Sequence, residues 1–241
     1  MPNKGISPLA FIGEGVEIGE RVVIGPGAVI LGPCVIEDDV HIGAGAFIGS
    51  PPEMTDQPQN AAWTGELAHA GVRICRGAVI REAAVIHQGS YRATTVGAES
   101  WILNRAYLAH DVLVGEHTTI SAGVSVGGHC VIGDRVDIGM NASVHQRVFV
   151  ATGCMIGMGT PLARDLPPFV KAFGSPARIH GLNSVGMQRF GISAEEIEEL
   201  AGAYDRGDLL LDTHPGGWGD KLGPAVSQWL AREDRRPATM R

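Results

Sequence analysis

Aromatic side chains are scarce: Phe, Trp and Tyr together make up 5% of the 241 residues. Rings dominate the packing of ordinary cores, so a chain with so few of them points to a narrow interior. Long apolar runs are also lacking. Nothing approaches the roughly 20 apolar residues of a membrane-spanning helix, and the polar start Met1-Pro2-Asn3-Lys4 has no signal-peptide character. Both features read as a cytoplasmic protein without a membrane span. An excess of positive charge is missing too. The net charge of −7 argues against nucleic acid or an anionic membrane surface as the main partner. Cysteine is limited to four residues with no CxxC pair, which gives no signature of a metal or redox centre.

What the chain has instead is glycine, 34 residues of it, and a strict period of six. Val96, Ile102, Leu108, Val114, Ile120, Val126, Ile132, Ile138, Val144, Val150, Ile156 and Leu162 stand six apart. A small or β-branched residue follows each by four, as at Ala106, Val112, Cys130 and Cys154. A first block repeats the pattern from Ile6 to Ile48, and Ile74, Ile80 and Ile86 resume it. Six fits neither the 3.6 of a helix nor the 2 of an alternating strand. It fits an all-β solenoid, a parallel β-helix of hexapeptide repeats in which three hexapeptides close one triangular coil. The aliphatic residues fill the prism, and Gly or Asn is expected to permit the tight corners. Cys34, Cys130 and Cys154 fall on the small inward positions and read as buried hydrophobes.

The period breaks twice, at 49–73 and at about 90–95, and both breaks read as loops thrown outward from corners. The solenoid is expected to occupy 1–170 and to end at Asp165-Leu-Pro-Pro, because prolines cannot continue a hydrogen-bonded ladder. An extended linker and a short helical C-terminal region fill 171–241. There, Ser193 and Glu196 form a capping box for a helix to about Tyr204, with Ile192 and Ile197 as its staple. His214-Pro-Gly-Gly-Trp-Gly reads as a turn. A second helix near Pro224 buries Val226, Trp229 and Leu230.

Residues eighteen apart stack in such a solenoid. His110, His129 and His145 therefore share one face in three successive coils, and His87 joins them if the 90–95 excursion is a corner insertion. At about 4.8 Å per coil the row spans roughly 10–15 Å, which suits an extended cleft better than one compact metal site. His41 and His117 lie outside it.

The residues around this row carry a resemblance. Ile-Arg-Glu (80–82), Ile-His-Gln-Gly (86–89), Leu-Ala-His-Asp (108–111), Gly-Gly-His (127–129), Val-His-Gln (144–146), Asp-Leu-Pro-Pro-Phe-Val (165–170) and Gly-Met-Gln-Arg-Phe-Gly-Ile-Ser (186–193) resemble the UDP-N-acetylglucosamine acyltransferases of lipid A biosynthesis. The resemblance implies a left-handed parallel β-helix and a homotrimer with clefts between subunits. It also implies transfer of a (3-hydroxy)acyl group from acyl carrier protein, or from coenzyme A, to a hydroxyl of a nucleotide-linked sugar. His110 matches the general base with Asp111 beside it, and Gly128 the oxyanion-binding N–H. His129 and Gln146 match acyl-phosphopantetheine contacts, and His145 a residue important to catalysis or binding. Asn183 and Arg189 match nucleotide-side and carrier-side positions, while Met158 matches the site that closes the acyl groove. The family's histidine three before the base is Tyr107 here, a family Glu is Val185, a second Arg is Phe190, and the acceptor-binding loop has no counterpart in 49–73. No permanent cofactor and no metal are implied.

Three other readings stay open from the sequence alone. N-acylation of an amino-sugar nucleotide or other amine is the nearest. A γ-type carbonic anhydrase shares the solenoid but needs a histidine pair at short spacing on one strand, which is missing. A silent structural solenoid gives no reason for a one-sided histidine row.

Overall fold

In the computed structural model, residues 5–57, 59, 69–212 and 217–241 are described. The chain winds mostly as short strands of two or three residues, commonly with one side chain outward and its successor inward, as in Tyr107–Leu108, Ser125–Val126 and Ser143–Val144. From Ile24 to Leu162 every aliphatic residue of the six-residue register is buried, none more than 3% exposed. The strands stack into three faces, sheets of eight, seven and nine strands, parallel throughout except for the last strand of the third. Register follows the repeat: Ile86, Leu108, Val126 and Val144 pair in sequence up the eight-stranded face. Cys34, Cys130 and Cys154 are buried among the aliphatics, and burial pushes each thiol up to about 12.

The corners differ from expectation in one respect. The glycine directly after an aliphatic residue is not the one that turns the chain. At Gly139 an added Cβ would lie 2.6 Å from the backbone N of Met158 in the next coil, so this position is fixed by close stacking of corners. The left-handed residue comes two positions later, and it is frequently not glycine: Asp111, His129 and Arg147 have φ of 62°, 62° and 65°. Non-glycine residues visit this region rarely, and here the stacked coils on either side impose it.

Both breaks in the period leave the corner between the eight- and seven-stranded faces, one between Phe47–Ser50 and Val72–Ile74, the other between Val85–His87 and Thr94–Val96. Pro58 and Trp63 of the first excursion lie outside the described residues, as do residues 213–216 of the expected turn.

The coil does not stop at the prolines. Pro167 and Pro168 sit at a corner, where no ladder N–H is required, and Val170–Phe173 then stacks parallel on Met155–Ile156. Arg178–Leu182 folds back antiparallel on it, so what was expected as extended linker from 171 is a hairpin closing the nine-stranded face. Single bridges from Pro237 to Asp165 and from Met240 to Ile179 tie the C-terminus to this end.

Three helices follow: α1 (Ser184–Phe190), capped by Asn183, then α2 (Ala194–Asp205) and α3 (Leu222–Leu230). The capping box of Ser193 and Glu196 is formed, with Gly207 beyond the end of α2. Helices this short need a partner surface, and they take it from the solenoid. Tyr204 donates its hydroxyl to the Pro168 carbonyl at 2.9 Å, and Trp229 stacks on Phe149 at 5.9 Å. Val226 and Trp229 are buried as expected, whereas Leu230, at the last turn, is 40% exposed. The helix α1 was not legible as one, because seven residues with a central Gly carry too little apolar periodicity.

Candidate active site

The corner after Tyr107–Leu108 carries His110 and Asp111, and the corner stacked on it carries Gly128 and His129. Asp111 is fully buried and His110 is 9% exposed. His110 Nδ1 lies 2.7 Å from Asp111 Oδ2, and His129 Nδ1 approaches the same oxygen at 3.4 Å. The two imidazoles meet edge to face with centroids 4.7 Å apart.

Asp111 is the hub. Besides His110, its carboxylate accepts the Ser90 hydroxyl at 2.7 Å and the backbone N–H groups of Ser90, Tyr91 and Arg92 at 2.8, 3.1 and 3.3 Å. Burial alone would raise its pKa. The Ser90 hydroxyl, His110 and the N–H groups outweigh that and hold it near about 2. An ionised carboxylate only accepts, so His110 carries its proton on Nδ1 and leaves Nε2 with a free lone pair. His129 is also lowered: burial, then the charge of Arg147, depress its pKa and favour the neutral ring.

Gly128 lies against this lone pair. A Cβ there would stand 2.7 Å from both Cε1 and Nε2 of His110, so only glycine lets the next corner close over the imidazole. Its N–H has no acceptor among the described residues.

One coil earlier a second cluster forms. His87 is buried, with Nδ1 2.7 Å from the Pro51 carbonyl, and packs edge to face on Tyr107 at 5.2 Å. Glu53 accepts the Tyr107 hydroxyl and stands 3.7 Å from His87 Nε2. Burial and then Glu53 raise the phenol pKa. Glu53 belongs to the 49–73 excursion, which offered no family counterpart and no period to place it.

The histidine row is thus uneven. Within the row His110 and His129 close on Asp111, three ligand atoms of these residues lying within 4.8 Å of one another. That spacing could admit a metal ion, contrary to what the row length implied. The donor set argues otherwise, since both oxygens of Asp111 are occupied by hydrogen-bond donors. His145 and Gln146 are exposed on the following corner, His145 Nδ1 lying 3.2 Å from the Gln146 carbonyl.

Other expected residues lie on different edges of the prism. Asn183 caps α1 and donates to the Gly153 carbonyl at 3.0 Å. With Arg189, His117 and Arg135 it lines a cavity of about 170 Å³ at the corner between the seven- and nine-stranded faces. Met158 is at the third corner and 71% exposed. Within one chain, therefore, the structure joins His87 to Tyr107 and His110, Asp111 and Gly128 to His129, but leaves Met158, Asn183 and Arg189 apart from them.

The hexapeptide-repeat family of bacterial transferases matches residues 15–50 and 93–128, and the Udp N-acetylglucosamine O-acyltransferase domain 2 family matches residues 165–206. An acyl-[acyl-carrier-protein]–UDP-N-acetylglucosamine O-acyltransferase of Campylobacter concisus is 32% identical over 84% of this chain and 75% of its own length. One from Halorhodospira halophila is 36% identical, covering 84% and 81%. Among solved structures, the UDP-N-acetylglucosamine acyltransferase of Campylobacter jejuni superposes with a TM-score of 0.78 at 25% identity, covering 97% of this chain and 99% of the other. With relatives of 32% and 36% identity covering 84% of this chain and at least 75% of their own lengths, the chain belongs to the UDP-N-acetylglucosamine O-acyltransferase family.

Proposed function

We propose that the protein moves an acyl group from the thioester of acyl carrier protein to a hydroxyl of UDP-N-acetylglucosamine, with His110 as general base. The observation that carries this is the buried Asp111–His110 pair, which leaves a lone pair on Nε2 with Gly128 packed against the ring, its N–H without an acceptor among the described residues. Nε2 takes the proton of the acceptor hydroxyl as its oxygen attacks the thioester carbonyl. The carbonyl oxygen becomes an oxyanion, which the Gly128 N–H would receive. Collapse breaks the C–S bond, and the imidazolium returns its proton to the departing thiolate, giving the O-acyl sugar and the free carrier thiol. His129, His145 and Gln146 continue the corner along which the phosphopantetheine arm would lie. The relatives are named as O-acyltransferases using the carrier protein, so N-acylation and coenzyme A are not favoured.

The working unit is proposed to be a homotrimer. A three-sided prism offers equivalent faces, and the separation of Met158, Asn183 and Arg189 from His110 in one chain is reduced if neighbouring copies bring those corners toward the histidines. Light scattering should give three times the 25.3 kDa subunit mass at micromolar concentration, and one subunit mass would reject it. No helix among the described residues is long and apolar enough to cross a membrane. We place the protein in the cytoplasm, a reducing compartment compatible with its four free cysteines.

The test of the reaction is stoichiometric: one free carrier thiol should appear per O-acyl sugar formed. Absence of product from a series of acyl-carrier donors would overturn the reading. The same series tests chain length. Met158 would close the groove to longer acyl chains, each excluded methylene forgoing about 0.8 kcal/mol. Met158→Gly should shift preference toward longer donors, and an unchanged preference would remove Met158 from the site.

A further inference from the structure

The excursion at 88–93 is more than a tolerated bulge. A plain corner spans six residues from one aliphatic to the next, whereas Ile86 and Val96 stand ten apart, so four extra residues enter at the catalytic corner. They are spent on Asp111. Three successive backbone N–H groups, from Ser90 to Arg92, converge on Oδ1 as an anion-holding nest, and the Ser90 hydroxyl covers Oδ2. Thr94 Oγ1 accepts the Asp111 backbone N–H at 2.9 Å, securing the same residue from below. The loop can turn so tightly only because residue 89 is glycine, where an added Cβ would fall 1.6 Å from the Arg92 carbonyl oxygen.

Arg92 adds a second tie. Its guanidinium donates through Nε and a terminal nitrogen to the Asp111 carbonyl, at 2.9 and 2.6 Å, and reaches the His129 carbonyl at 3.3 Å. It thus bridges two stacked corners whose central residues both hold left-handed φ. Tyr91, between the two, lies over the His129 ring at 5.7 Å.

We infer that Ser90 and Arg92 are positioning residues for acyl transfer, holding Asp111, and through it His110, in the orientation that aims Nε2 at the acceptor. This rests on His110 being the base of the reaction proposed above. Neither residue needs to touch substrate. Ser90 fixes which way the carboxylate faces, and Arg92 fixes the spacing of the two histidine corners.

The sign of the pH effect follows from the contacts. Removing the Ser90 hydroxyl leaves His110 Nδ1–H as the main donor to Oδ2, concentrating negative charge opposite the ring. The imidazolium is then stabilised relative to the neutral base, and the acid limb of the rate profile moves to higher pH. The other groups around this pair stay in place: His129 beside the ring, Arg92 on the loop, Arg147 acting on His129 from the following corner, Tyr107 on the strand before His110, and Glu53 and His87 one coil earlier.

The experiment compares the wild-type protein with Ser90→Ala, Ser90→Thr and Arg92→Lys, measuring kcat, KM and the pH profile. In parallel, the His110 ring is titrated by NMR without substrate. Ser90→Ala should lower kcat about 10- to 100-fold, the usual cost of losing an outer partner of a catalytic group, with KM for both substrates changed less than about twofold. Its acid limb and ring titration should both move up in pH, and Ser90→Thr, which keeps the hydroxyl, should restore all three. Arg92→Lys should lower kcat without restoring the two-carbonyl bridge, since one ammonium cannot reproduce the guanidinium fork. Wild-type kcat and an unshifted titration in Ser90→Ala would overturn the inference. So would a loss of activity that tracks a lower melting temperature with the titration unmoved. If Ser90→Ala does not fold, Ser90→Cys, a weaker donor of similar size, must show the same upward shift in smaller measure. Because the ring titration needs no turnover, a wild-type protein that fails to acylate the sugar while the shift is present would fault the reaction and leave the positioning role standing.

Discussion

His110→Ala should lose about 10²- to 10⁴-fold in kcat with its fold retained, the range that follows removal of a general base. The ring is buried, so this is not a surface change, yet it lies at a corner outside the aliphatic prism. The contacts it forfeits are to Asp111, His129 and the backbone at Gly128. The prism residues Leu108 and Val126 on either side keep their pairing. Circular dichroism and the oligomeric mass should match wild type while the rate of carrier-thiol release collapses. Near-normal turnover would move the base elsewhere, and His129, whose Nδ1 faces the same carboxylate, would be the next residue to test.

Asp111→Asn should cost a comparable amount, about 10²- to 10⁴-fold, although it removes no atom that meets substrate. Three backbone N–H groups still point at Oδ1 and require an acceptor. The amide oxygen must therefore turn toward the loop, which aims the amide NH₂ at His110 Nδ1. The imidazole answers by shifting its proton to Nε2, and the lone pair that accepts the substrate proton is gone. Nitrogen chemical shifts of the ring would show the exchanged tautomer. A rate within threefold of wild type, or an unchanged tautomer, would rule this account out.

The depressed Asp111 pKa also fixes a pH window. A carboxylate held near about 2 instead of 3.8 contributes stability fully present above pH 3.8 and lost as pH falls toward 2. An acid limb of activity near neutral pH therefore does not belong to Asp111. Acid unfolding that sets in earlier for Asp111→Asn than for wild type would be the stability counterpart.

How much of this could be read from residues alone varied with their relation to the period. Leu108, Val126 and Val144 fix a register, and the register puts His110, His129 and His145 on successive corners. The roles of His110, Asp111 and Gly128 come from the family resemblance and not from the counting. The counting could not show that His110 and His129 touch while His145 stands apart, because corner side chains fold along directions that a spacing rule does not contain. Glu53 and the Ser90–Arg92 segment were illegible for a different reason. They sit in the two insertions, where the period that assigns every other residue its face is suspended. The hairpin beyond Pro168 departs from expectation because proline, a ladder breaker inside a strand, here occupies a corner.

The sequence by itself therefore determined the solenoid, its register and the edge on which the chemistry lies, since one inward aliphatic residue every six positions admits little else. Tertiary structure decided which of the aligned groups meet. Two loops fold back onto one corner, bury Asp111 beneath three N–H groups and a hydroxyl, and bring Glu53 to Tyr107. Those contacts join residues far apart in the chain, and nothing periodic encodes them; they exist only once the coils are stacked.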